Sequence, residues 1–585
     1  MNQRTRLSTI RFKLGAMRLR YSYVIAIISC CICLLFRPTV APVIANPDWV
    51  IESNKSAELL TTAIAAKSCQ PKFANSDLRE TNANFKTCRQ EKIFKEVQRL
   101  EKKLTQAKNS DLSLDLEILL KVGRQSLRSY QLDEKYRLPY VNLSQAILED
   151  LKSAAKESKS SAKQQAILTK LKQYAGLQPG TTALAESLIQ SIQTKLQQSE
   201  VVLPRKEQLK KELNNNASRI HQIKAFLEQQ NVTGYEPAYA QLKAQLFDYE
   251  TFIRREVVTK TKQNLTLPQE LYIFNLQEQG IEIPVEELMQ QAHNAFFQVQ
   301  QQMSALAPKI AQKKGLKVTD YRDVIQLLQQ EQLSAQDTLH LYRQRAQELE
   351  TIIQREHLVT LPEAEFHIRL ATAQENKNFP VPLYDASSST FVIPVLQNQP
   401  KARLYNDFTN PAMSWTLTVH EGRPGHDLQH AITKTQNLSR ARTDFAVNAT
   451  NIEGWATYAE ELMRPYLPLE GQFMSLQFQL LRAARAFLEP ELQLGKITIA
   501  EALEVLTQNA GFSQFFAEQE IQRYIARFPG QAPAYFYGYQ QFLQLRSRAK
   551  KMLGKQYSVQ KFNDFVLSQG FLTPKLLNQV LKSQI

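Results

Sequence analysis

The densest group of candidate metal ligands in the chain lies between His420 and His430. These eleven residues hold three of the chain's eight histidines, together with the carboxylate of Glu421. An adjacent histidine and glutamate open the helical signature of zinc proteases, in which the histidine binds the metal and the glutamate activates the metal-bound water. His420 and Glu421 therefore predict a metal site with hydrolytic chemistry.

The second histidine is not at the usual spacing. It normally follows the first by four residues, whereas His426 follows His420 by six. On a regular helix the two rings would diverge. Pro424 and Gly425 allow the helix to be interrupted between the two histidines. Proline interrupts helical hydrogen bonding, and glycine tolerates the dihedral angles of a looped-out segment. A bulge from Gly422 to Gly425 would return His426 to the face of His420.

The flanking sequence indicates two helices around this group. Asn410 followed by Pro411 is typical of an N-cap with proline at the first helical position, which puts His420 near the end of a helix of about three turns. Glu453 lies on a second helix that Pro465 ends. It is the best candidate for a third ligand in a site that keeps one position for water.

Two further residues bear on this site. Glu460 follows Glu453 by seven residues on the same helix face, and it could hold a ligating histidine by its free ring nitrogen. His430 follows His426 by four residues, so these two could themselves form a metal pair, or His430 could be a solvated polar residue.

The C-terminal part of the chain carries a series of ordered motifs. They are residues 420–429 (HExxPGHxxQ), 453–460 (EGWAxYAE), 482–485 (RAAR), and 523–525 with 529–532 and 535–538 (RY, PGQA and YxxG). These motifs resemble those of the bacterial domain-of-unknown-function 885 family, whereas the N-terminal half is similar only in general character.

The resemblance implies a branch of the zinc peptidases whose third ligand is a glutamate. The expected fold is mainly α, large and clefted, like that of helical oligopeptidases and carboxypeptidases. Carried over by position, the resemblance makes His420, His426 and Glu453 the ligands of one Zn²⁺ ion per chain. It makes Glu421 the general base.

The chain departs from the family pattern at two places. The family often has a second histidine directly after the PGH, where this chain has Asp427. After the RAAR helix the family tends to carry a DxGxH-like run, in which Glu491 replaces the glycine and Gln493 replaces the histidine. If that histidine assists the transition state, activity or specificity differs here.

Composition agrees with a large helical protein. Glycine accounts for only 17 of 585 residues, and apolar residues recur at helical spacing from about residue 90 to 360. The length exceeds what one hydrophobic core normally supports. We therefore expect a signal peptide at 1–45, a helical N-terminal lobe at 46–360 and a metal-binding catalytic region at 361–585.

The N-terminus has the features of a secretory signal peptide. Six basic residues precede an apolar run at 23–36, and small residues suited to cleavage follow at 41–45. The run is shorter than the roughly twenty residues of a membrane-spanning helix. Residues 27–30 resemble a lipobox, but the apolar run continues past Cys30. We expect a periplasmic or secreted protein, with an uncleaved inner-membrane anchor as the alternative.

Cleavage would leave two cysteines, Cys69 and Cys88, nineteen positions apart. In an oxidising compartment such a pair predicts a disulfide, whereas two free thiols would fit a cytosolic protein.

The formal charge of +16 does not indicate a nucleic-acid partner. The presequence holds seven of the basic residues and no acidic ones, so the chain from Asn46 carries +9. No nucleic-acid motif accompanies that charge. A mildly basic surface would instead favour acidic peptides or an anionic envelope.

Two segments before the metal helix are rich in β-forming residues, at 366–372 and 390–395. They predict short strands along a cleft, where an edge strand can pair with an extended peptide through main-chain hydrogen bonds. A hairpin that only braces the helices is the alternative.

Arg523, Tyr524 and Tyr535 are the candidate substrate groups near the C-terminus. A hydroxyl such as that of Tyr535 can stabilise a tetrahedral oxyanion, and Arg523 can clamp a terminal carboxylate with two hydrogen bonds. Tyr524 is a further candidate for substrate contact.

Together these patterns predict an exported zinc-dependent peptidase that hydrolyses peptides with a metal-activated water. The alternative is a non-catalytic helical envelope-binding protein with a structural metal site, which a closed coordination sphere including His430 would favour. The patterns do not distinguish endopeptidase from exopeptidase activity, and they leave the native metal, the substrate and the oligomeric state open.

Overall fold

A computed structural model describes residues 47–69, 75–157, 162–261, 266–315, 317–378, 381–395 and 407–584. The predicted signal peptide at 1–45 lies outside the described residues. The fold is mainly α with one small sheet, as the sequence predicts. No helix in the described part of the chain is long and apolar enough to cross a membrane.

The first part of the chain is a succession of helices. They are α1 (Asp48–Ala65), α2 (Ser76–Glu80), α3 (Ala83–Gln106), α4 (Ser110–Tyr136), α5 (Leu143–Glu157), α6 (Lys163–Tyr174), α7 (Leu184–Leu196), α8 (Lys206–Asn214), α9 (Asn216–Gln229), α10 (Glu236–Phe252), α11 (Gln269–Glu278), α12 (Val285–Lys314), α13 (Tyr321–Gln330) and α14 (Ala335–Arg355).

The small sheet and the metal-site helices follow. They are β1 (His367–Leu370), α15 (Ala373–Asn378), β2 (Leu383–Asp385), β3 (Thr390–Ile393), α16 (Pro411–Glu421), α17 (His426–Thr435), α18 (Ala449–Met463), α19 (Leu469–Gln493), α20 (Ile499–Glu504), α21 (Gln514–Gln522), α22 (Pro533–Leu553), α23 (Val559–Ser568) and α24 (Pro574–Gln584).

Several α-helices are joined or extended by short π-helical segments. These segments are Ile253–Val257, Ala441–Phe445, Val505–Asn509 and Arg523–Arg527. Such segments occur frequently at functional sites. One of them connects the two helices α17 and α18, and another begins at the predicted substrate residue Arg523.

The apolar core is divided into several clusters. One lies within residues 78–257. The two largest combine residues from both sides of position 360, because one spans 272–537 and the other joins 57–120 to segments as late as 581. The N-terminal helices therefore pack directly against the helices of the predicted catalytic region. The division at residue 360 stays a prediction.

A buried arginine ties these two parts together. Arg442 donates hydrogen bonds to Asp115 (2.9 Å) and Asp111 (2.7 Å) of α4, and its guanidinium also lies 5.2 Å from the ring of Trp49. A buried guanidinium needs carboxylate partners to offset its lost hydration. The pairing therefore fixes α4 against the segment between α17 and α18.

The sheet has the order β1-β3-β2, with β1 parallel and β2 antiparallel to β3. The two strands that the sequence predicts are therefore parallel neighbours and not a hairpin. The short strand β2 was not predicted, since three residues carry no clear alternation. Because β3 is the central strand, its main chain is paired on both sides, and β1 and β2 form the edges among the described strands.

Helices α18 and α22 cross at two glycines. A Cβ atom at Gly454 would lie 2.6 Å from the carbonyl carbon of Gly538, and one at Gly538 would overlap the carbonyl oxygen of Thr450. Only residues without a side chain permit this approach. The crossing sets the distance between the metal-ligand candidate Glu453 and the helix that carries Tyr535.

The predicted disulfide between Cys69 and Cys88 is present, with a Cα–Cα separation of 5.9 Å. It joins the turn after α1 to α3. Cys69 is buried beside Ala66 and Phe85, so the bond lies in a small apolar cluster.

Removing the disulfide should weaken the fold. Replacing both Cys69 and Cys88 by serine should lower the free energy of unfolding by about 3 kcal/mol, because the bond closes a loop of about twenty residues in the unfolded chain. Denaturant titration measures the loss. A reductant should destabilise the parent protein by a similar amount and leave the double variant unchanged. Two free thiols in protein recovered from the cell envelope would contradict the assignment.

The glycine crossing gives a second stability prediction. Gly538→Ala should lower the free energy of unfolding by about 1–3 kcal/mol, because the added methyl group has no space between the helices. Denaturant titration again provides the measurement. Gln540→Ala, at a half-buried position on the same helix, is the matched control and should change stability much less. Equal stability of the parent and Gly538→Ala would show that the crossing is not tight.

Candidate metal centre

The segment between His420 and His426 is a complete break between two helices. Asn410 caps α16 by accepting a hydrogen bond from the amide of Met413, and α16 ends at Glu421 after three turns, as predicted. A new helix, α17, begins at His426. The structure thus has two separate helices where the sequence predicted a bulge.

Gly425 allows the chain to turn back sharply. A Cβ atom there would overlap the main-chain carbonyl oxygen of His420, and the Gly425 amide donates to the Val419 carbonyl at 3.0 Å. The preceding bond, between Arg423 and Pro424, is cis. The ring centroids of His420 and His426, on either side of this turn, are 4.8 Å apart despite the six-residue spacing.

Glu453 on α18 completes a group of three candidate ligands. Its Oε2 lies 3.5 Å from Nε2 of His420 and 3.4 Å from Nε2 of His426. The three ligand atoms all lie within 4.8 Å of one another. Among the residues that the structure describes, no fourth histidine, cysteine or carboxylate joins this group.

The spacing of these atoms fits a metal ion. Ligand atoms held 2.0–2.1 Å from a tetrahedral zinc ion lie about 3.3 Å apart, close to the observed separations. Glu453 Oε2 is buried and lacks a hydrogen bond of normal geometry. A buried carboxylate oxygen without such a bond is costly unless a cation satisfies it. His420, His426 and Glu453 could therefore hold one metal ion.

Two of these groups have shifted pKa values. Burial disfavours the charged form of His420, but its contacts with the Glu453 and Glu460 carboxylates outweigh burial and raise its pKa to about 9. Burial would raise the pKa of Glu453, yet its contacts with the His420 and His426 rings hold it well below its usual range. Glu453 is therefore ionised at neutral pH, which is the form that binds a metal.

Glu460 is hydrogen-bonded to the His420 ring. Oε1 of Glu460 lies 2.7 Å from Nδ1 of His420, on the opposite side of the ring from Glu453. An Nδ1–H donor to this carboxylate leaves Nε2 free to bind a metal. Arg482 of α19 donates to the same Glu460 oxygen at 2.5 Å and so compensates the charge of a carboxylate that is almost fully buried.

Glu421 lies beside this cluster and belongs to the same electrostatic environment. Its side chain is buried, and desolvation raises its pKa, although the charges of His420 and His426 act in the opposite direction. It does not belong to the group of three candidate ligands. A carboxyl group with a raised pKa next to a metal site is suited to exchange protons.

His430 lies outside the ligand group. Its ring lies 5.5 Å from that of Tyr384 and 5.2 Å from that of Phe571, measured between centroids. Burial and the nearby charges of His426 and Lys434 lower its pKa to about 3. The alternative in which His430 pairs with His426 on a metal is therefore not favoured by the geometry.

Asp427, the first departure from the family pattern, is hydrogen-bonded to residues next to His426. It accepts hydrogen bonds from Arg423 Nε (2.8 Å) and from the hydroxyl of Tyr384 (3.0 Å). Tyr384 belongs to β2, and its ring lies 6.4 Å from that of His426. The small sheet thus packs directly against the metal-site break.

Tyr535 and Arg523 lie next to the ligand group. The Tyr535 ring is nearly parallel to the His420 ring at a centroid distance of 6.4 Å. Its hydroxyl accepts a hydrogen bond from Arg523 at 3.2 Å. Burial, together with the charge of Glu453, raises the pKa of Tyr535 to about 12, so the hydroxyl keeps its proton and can donate it.

Tyr524 is placed differently from its two predicted companions. Its side chain is fully buried, and its hydroxyl donates to Glu520 at 3.0 Å. Glu520 is held from the other side by Arg485, at 2.6 Å and 3.0 Å. The structure therefore places Tyr524 in a supporting ion-pair network and not on the surface of the site.

The sequence analysis assigned no role to several residues that hold the site together. Arg482 and Arg485 are three positions apart on α19, on one face of a helix that is otherwise largely apolar, and that contrast was the available signal. Glu489 is fully buried and accepts hydrogen bonds from the amides of Gly530 (2.5 Å) and Ala532 (3.1 Å). It anchors the loop that leads into α22.

Gln493, where the family tends to have a histidine, has structural partners at both ends of its amide. Its Nε2 donates to the Tyr524 carbonyl (2.8 Å), and its Oε1 accepts from the Leu267 amide (2.9 Å). Glu491 lies 2.7 Å from His293. In this chain these positions brace α19 against its neighbours.

Comparisons with known proteins show what the chain is similar to. No curated protein sequence matches it. Its structure is similar to that of a suspected lipoprotein of unknown function from Shewanella oneidensis, with a TM-score of 0.67 and 15% identity over 91% of this chain and 99% of the other. A suspected lipoprotein from Colwellia psychrerythraea gives a TM-score of 0.60 and 14% identity over 92% and 98% of the two chains. At these identities the similarity shows a shared fold.

The bacterial proteins of unknown function that form the DUF885 family match the chain over residues 65–581. The match covers far more of the chain than the C-terminal motifs, because it includes most of the N-terminal helices. The chain belongs to the DUF885 family of bacterial proteins of unknown function.

Proposed function

We propose that this protein is an exported zinc-dependent peptidase in which Glu421 is the general base. The observation that carries the proposal is the convergence of two imidazole nitrogens on one carboxylate oxygen, which lies 3.5 Å from His420 and 3.4 Å from His426. A buried carboxyl group, Glu421, follows the first histidine in sequence. Two histidines and one glutamate are a ligand set typical of catalytic zinc sites.

Nε2 of His420, Nε2 of His426 and Oε2 of Glu453 would hold the ion. When bound, zinc supplies Lewis-acid chemistry, since it acidifies a water and polarises a carbonyl group. Three protein ligands leave a position for water or substrate, whereas structural sites normally have four. The position of His430 against Tyr384 and Phe571 supports the catalytic alternative over a structural site.

Glu421 accepts the proton of the attacking water and passes it to the leaving amine. Its burial supports this role, because a desolvated carboxyl group has a pKa nearer neutrality and is a stronger base when ionised. Glu460 and Arg482 keep the His420 ring in the tautomer that presents Nε2. Neither of these two residues needs to touch the substrate.

Tyr535 donates its hydroxyl proton in a hydrogen bond to the oxyanion that forms from the scissile carbonyl. Its place beside the His420 ring and its bond from Arg523 support this role. A donor that is already oriented stabilises developing charge without reorganisation cost. We assign Tyr524 to the support of Glu520 and not to substrate contact, because its hydroxyl is buried and bonded.

The small sheet supplies a binding edge for an extended peptide. Strand β2 lies at the edge of the described sheet, and Tyr384 connects it to Asp427 and His426. A peptide paired along β2 would be held by its main chain, so its side chains would be loosely specified. The presequence and the disulfide support export, since disulfides persist in oxidising compartments.

Variants at the two kinds of site residue should separate metal binding from catalysis. His426→Ala should lose both zinc and peptide hydrolysis, because two remaining ligands bind the ion weakly. Glu421→Gln should keep near-stoichiometric zinc but lose about a hundredfold or more of the rate, since an amide cannot accept the proton. Metal analysis and digestion of a peptide library, read by mass spectrometry, measure the two properties.

His430→Ala is the matched control for the metal arm, and it should retain zinc. Loss of zinc in that variant would favour the structural-site alternative. Peptide hydrolysis by Glu421→Gln within a few-fold of the parent, or a parent protein that binds no metal, would refute the proposed mechanism.

The oxyanion role predicts a specific effect at Tyr535. Tyr535→Phe should lower kcat by about a hundredfold or more while zinc content and the thermal midpoint stay nearly unchanged, because only one hydrogen bond to the transition state is lost. Tyr539→Phe is the matched control, since Tyr539 is one turn further along α22 and donates to Glu461. A proportionate loss of stability and activity in Tyr535→Phe would instead make the residue structural.

A further inference from the structure

Three arginines surround the ring of Tyr535. The guanidinium carbons of Arg482, Arg485 and Arg523 lie 5.9, 4.6 and 5.2 Å from the ring centroid. Such a concentration of positive charge beside a catalytic centre needs either internal carboxylates or an anionic ligand. The hydrogen-bond partners of each arginine show whether its charge is compensated by internal carboxylates or is available to an anionic ligand.

Two of the three arginines are committed to internal carboxylates. Arg482 donates to Glu460 at 2.5 Å, and its other donors reach Thr457 and the Phe478 carbonyl. Arg485 makes two hydrogen bonds to Glu520, at 2.6 and 3.0 Å, in the side-by-side geometry that is strongest for this pair. Each of these two guanidinium groups therefore has a close carboxylate partner inside the protein.

Arg523 is held mainly by neutral groups. Its contact with Glu520 is 3.4 Å long, because Arg485 and Tyr524 already occupy that carboxylate. Its other hydrogen bonds go to Gln531 and Tyr535, both at 3.2 Å. Its side chain remains 15% exposed, compared with 3% for Arg482 and 9% for Arg485.

The oxygens of the nearby Glu489 carboxyl group are occupied by other partners, since they accept hydrogen bonds from two main-chain amides and from Tyr272. Arg523 therefore shares the Glu520 carboxylate with Arg485 and is otherwise hydrogen-bonded to neutral groups. A weakly hydrated guanidinium in this position is suited to bind a carboxylate.

The distance from Arg523 to the metal ligands limits how many substrate residues can lie between a carboxylate bound to Arg523 and the metal site. The His420 ring is 6.4 Å from the Tyr535 ring, which is 5.2 Å from the Arg523 guanidinium, so Arg523 lies within about 12 Å of His420. A paired guanidinium and carboxylate take up about 4 Å of this span. The remaining length accommodates one or two residues, each of which spans at most about 3.6 Å.

We propose that Arg523 binds the C-terminal carboxylate of the peptide substrate, so that the protein is a carboxypeptidase that releases one or two residues. This inference rests on the proposed peptidase function and specifies its substrate class, namely peptides with a free C-terminus. Arg523 acts by direct contact with the substrate. Tyr535, between Arg523 and His420, then faces the scissile carbonyl.

The test compares two versions of one peptide mixture, with free C-terminal carboxylates and with C-terminal amides. The zinc-loaded parent should cleave the free acids about tenfold to a hundredfold faster in kcat/KM, as expected for a hydrogen bond between charged groups. Mass spectrometry should show loss of one or two residues from the C-terminus. Arg523→Gln should lower hydrolysis of the acids to the level of the amides.

Arg527→Gln is the matched control. Arg527 lies in the same π-helical segment, is exposed and donates to Gln519, so its loss should preserve the preference for free acids. A binding measurement avoids dependence on turnover. In zinc-loaded Glu421→Gln protein, calorimetry should show tighter binding of an acetylated dipeptide acid than of its amide, and adding Arg523→Gln should remove the difference.

The outcomes separate this inference from the proposed function. Equal cleavage of acids and amides by the parent, or cleavage at internal bonds, would overturn the carboxypeptidase assignment while leaving a zinc peptidase. A preference for acids that survives in Arg523→Gln would overturn the role of Arg523. Failure of the zinc-loaded parent to cleave either mixture would overturn both proposals.

Discussion

The candidate site depends on the burial of the Glu453 carboxylate between two imidazole rings. Removing an ionised carboxylate from water costs several kcal/mol, which is recovered only if opposite charge lies close by in good geometry. Here His420 and His426 face Glu453 at 3.5 and 3.4 Å, and a metal ion in the same place would serve the same purpose. Three helices must therefore meet within narrow tolerances.

Glycines make that meeting possible. Gly425 lets the chain reverse directly against the end of α16, and Gly454 lets α18 and α22 touch through their backbones. In both cases the constraint is steric, because an added methyl group would overlap backbone atoms of the segment that packs against the glycine. These close backbone contacts lie at the site, because side chains from different helices can converge only where the helices approach one another closely.

A group of buried ion pairs connects the candidate metal ligands to the segment that carries Arg523. Arg482 and Arg485, one turn apart on α19, hold Glu460 and Glu520 respectively. Glu460 orients His420, whereas Glu520 occupies Arg485 and leaves Arg523 largely to neutral partners. One helix therefore holds the carboxylate that contacts a candidate ligand and also the arginine that shares Glu520 with Arg523.

Local sequence determined the helices that carry the candidate ligands. The Asn410 cap, the end of a three-turn helix near His420 and the end of α18 before Pro465 depend on residues within one or two helical turns, and the structure has each of them as predicted. The second helix that begins at His426 was predicted only as a bulge. The disulfide between Cys69 and Cys88 was likewise predictable, because these are the two cysteines outside the predicted signal peptide. The catalytic roles of the site residues stay predictions.

Only the tertiary structure decided which distant side chains meet. Glu520 pairs with Arg485 across 35 positions and Arg442 with Asp115 across 327, and no local periodicity encodes such pairs. The same holds for the parallel pairing of β1 with β3. The burial of Tyr524, next to the half-buried Arg523, was also not predictable from motif spacing. Helical spacing places residues on a face, but the packing of faces from remote segments determines what each residue touches.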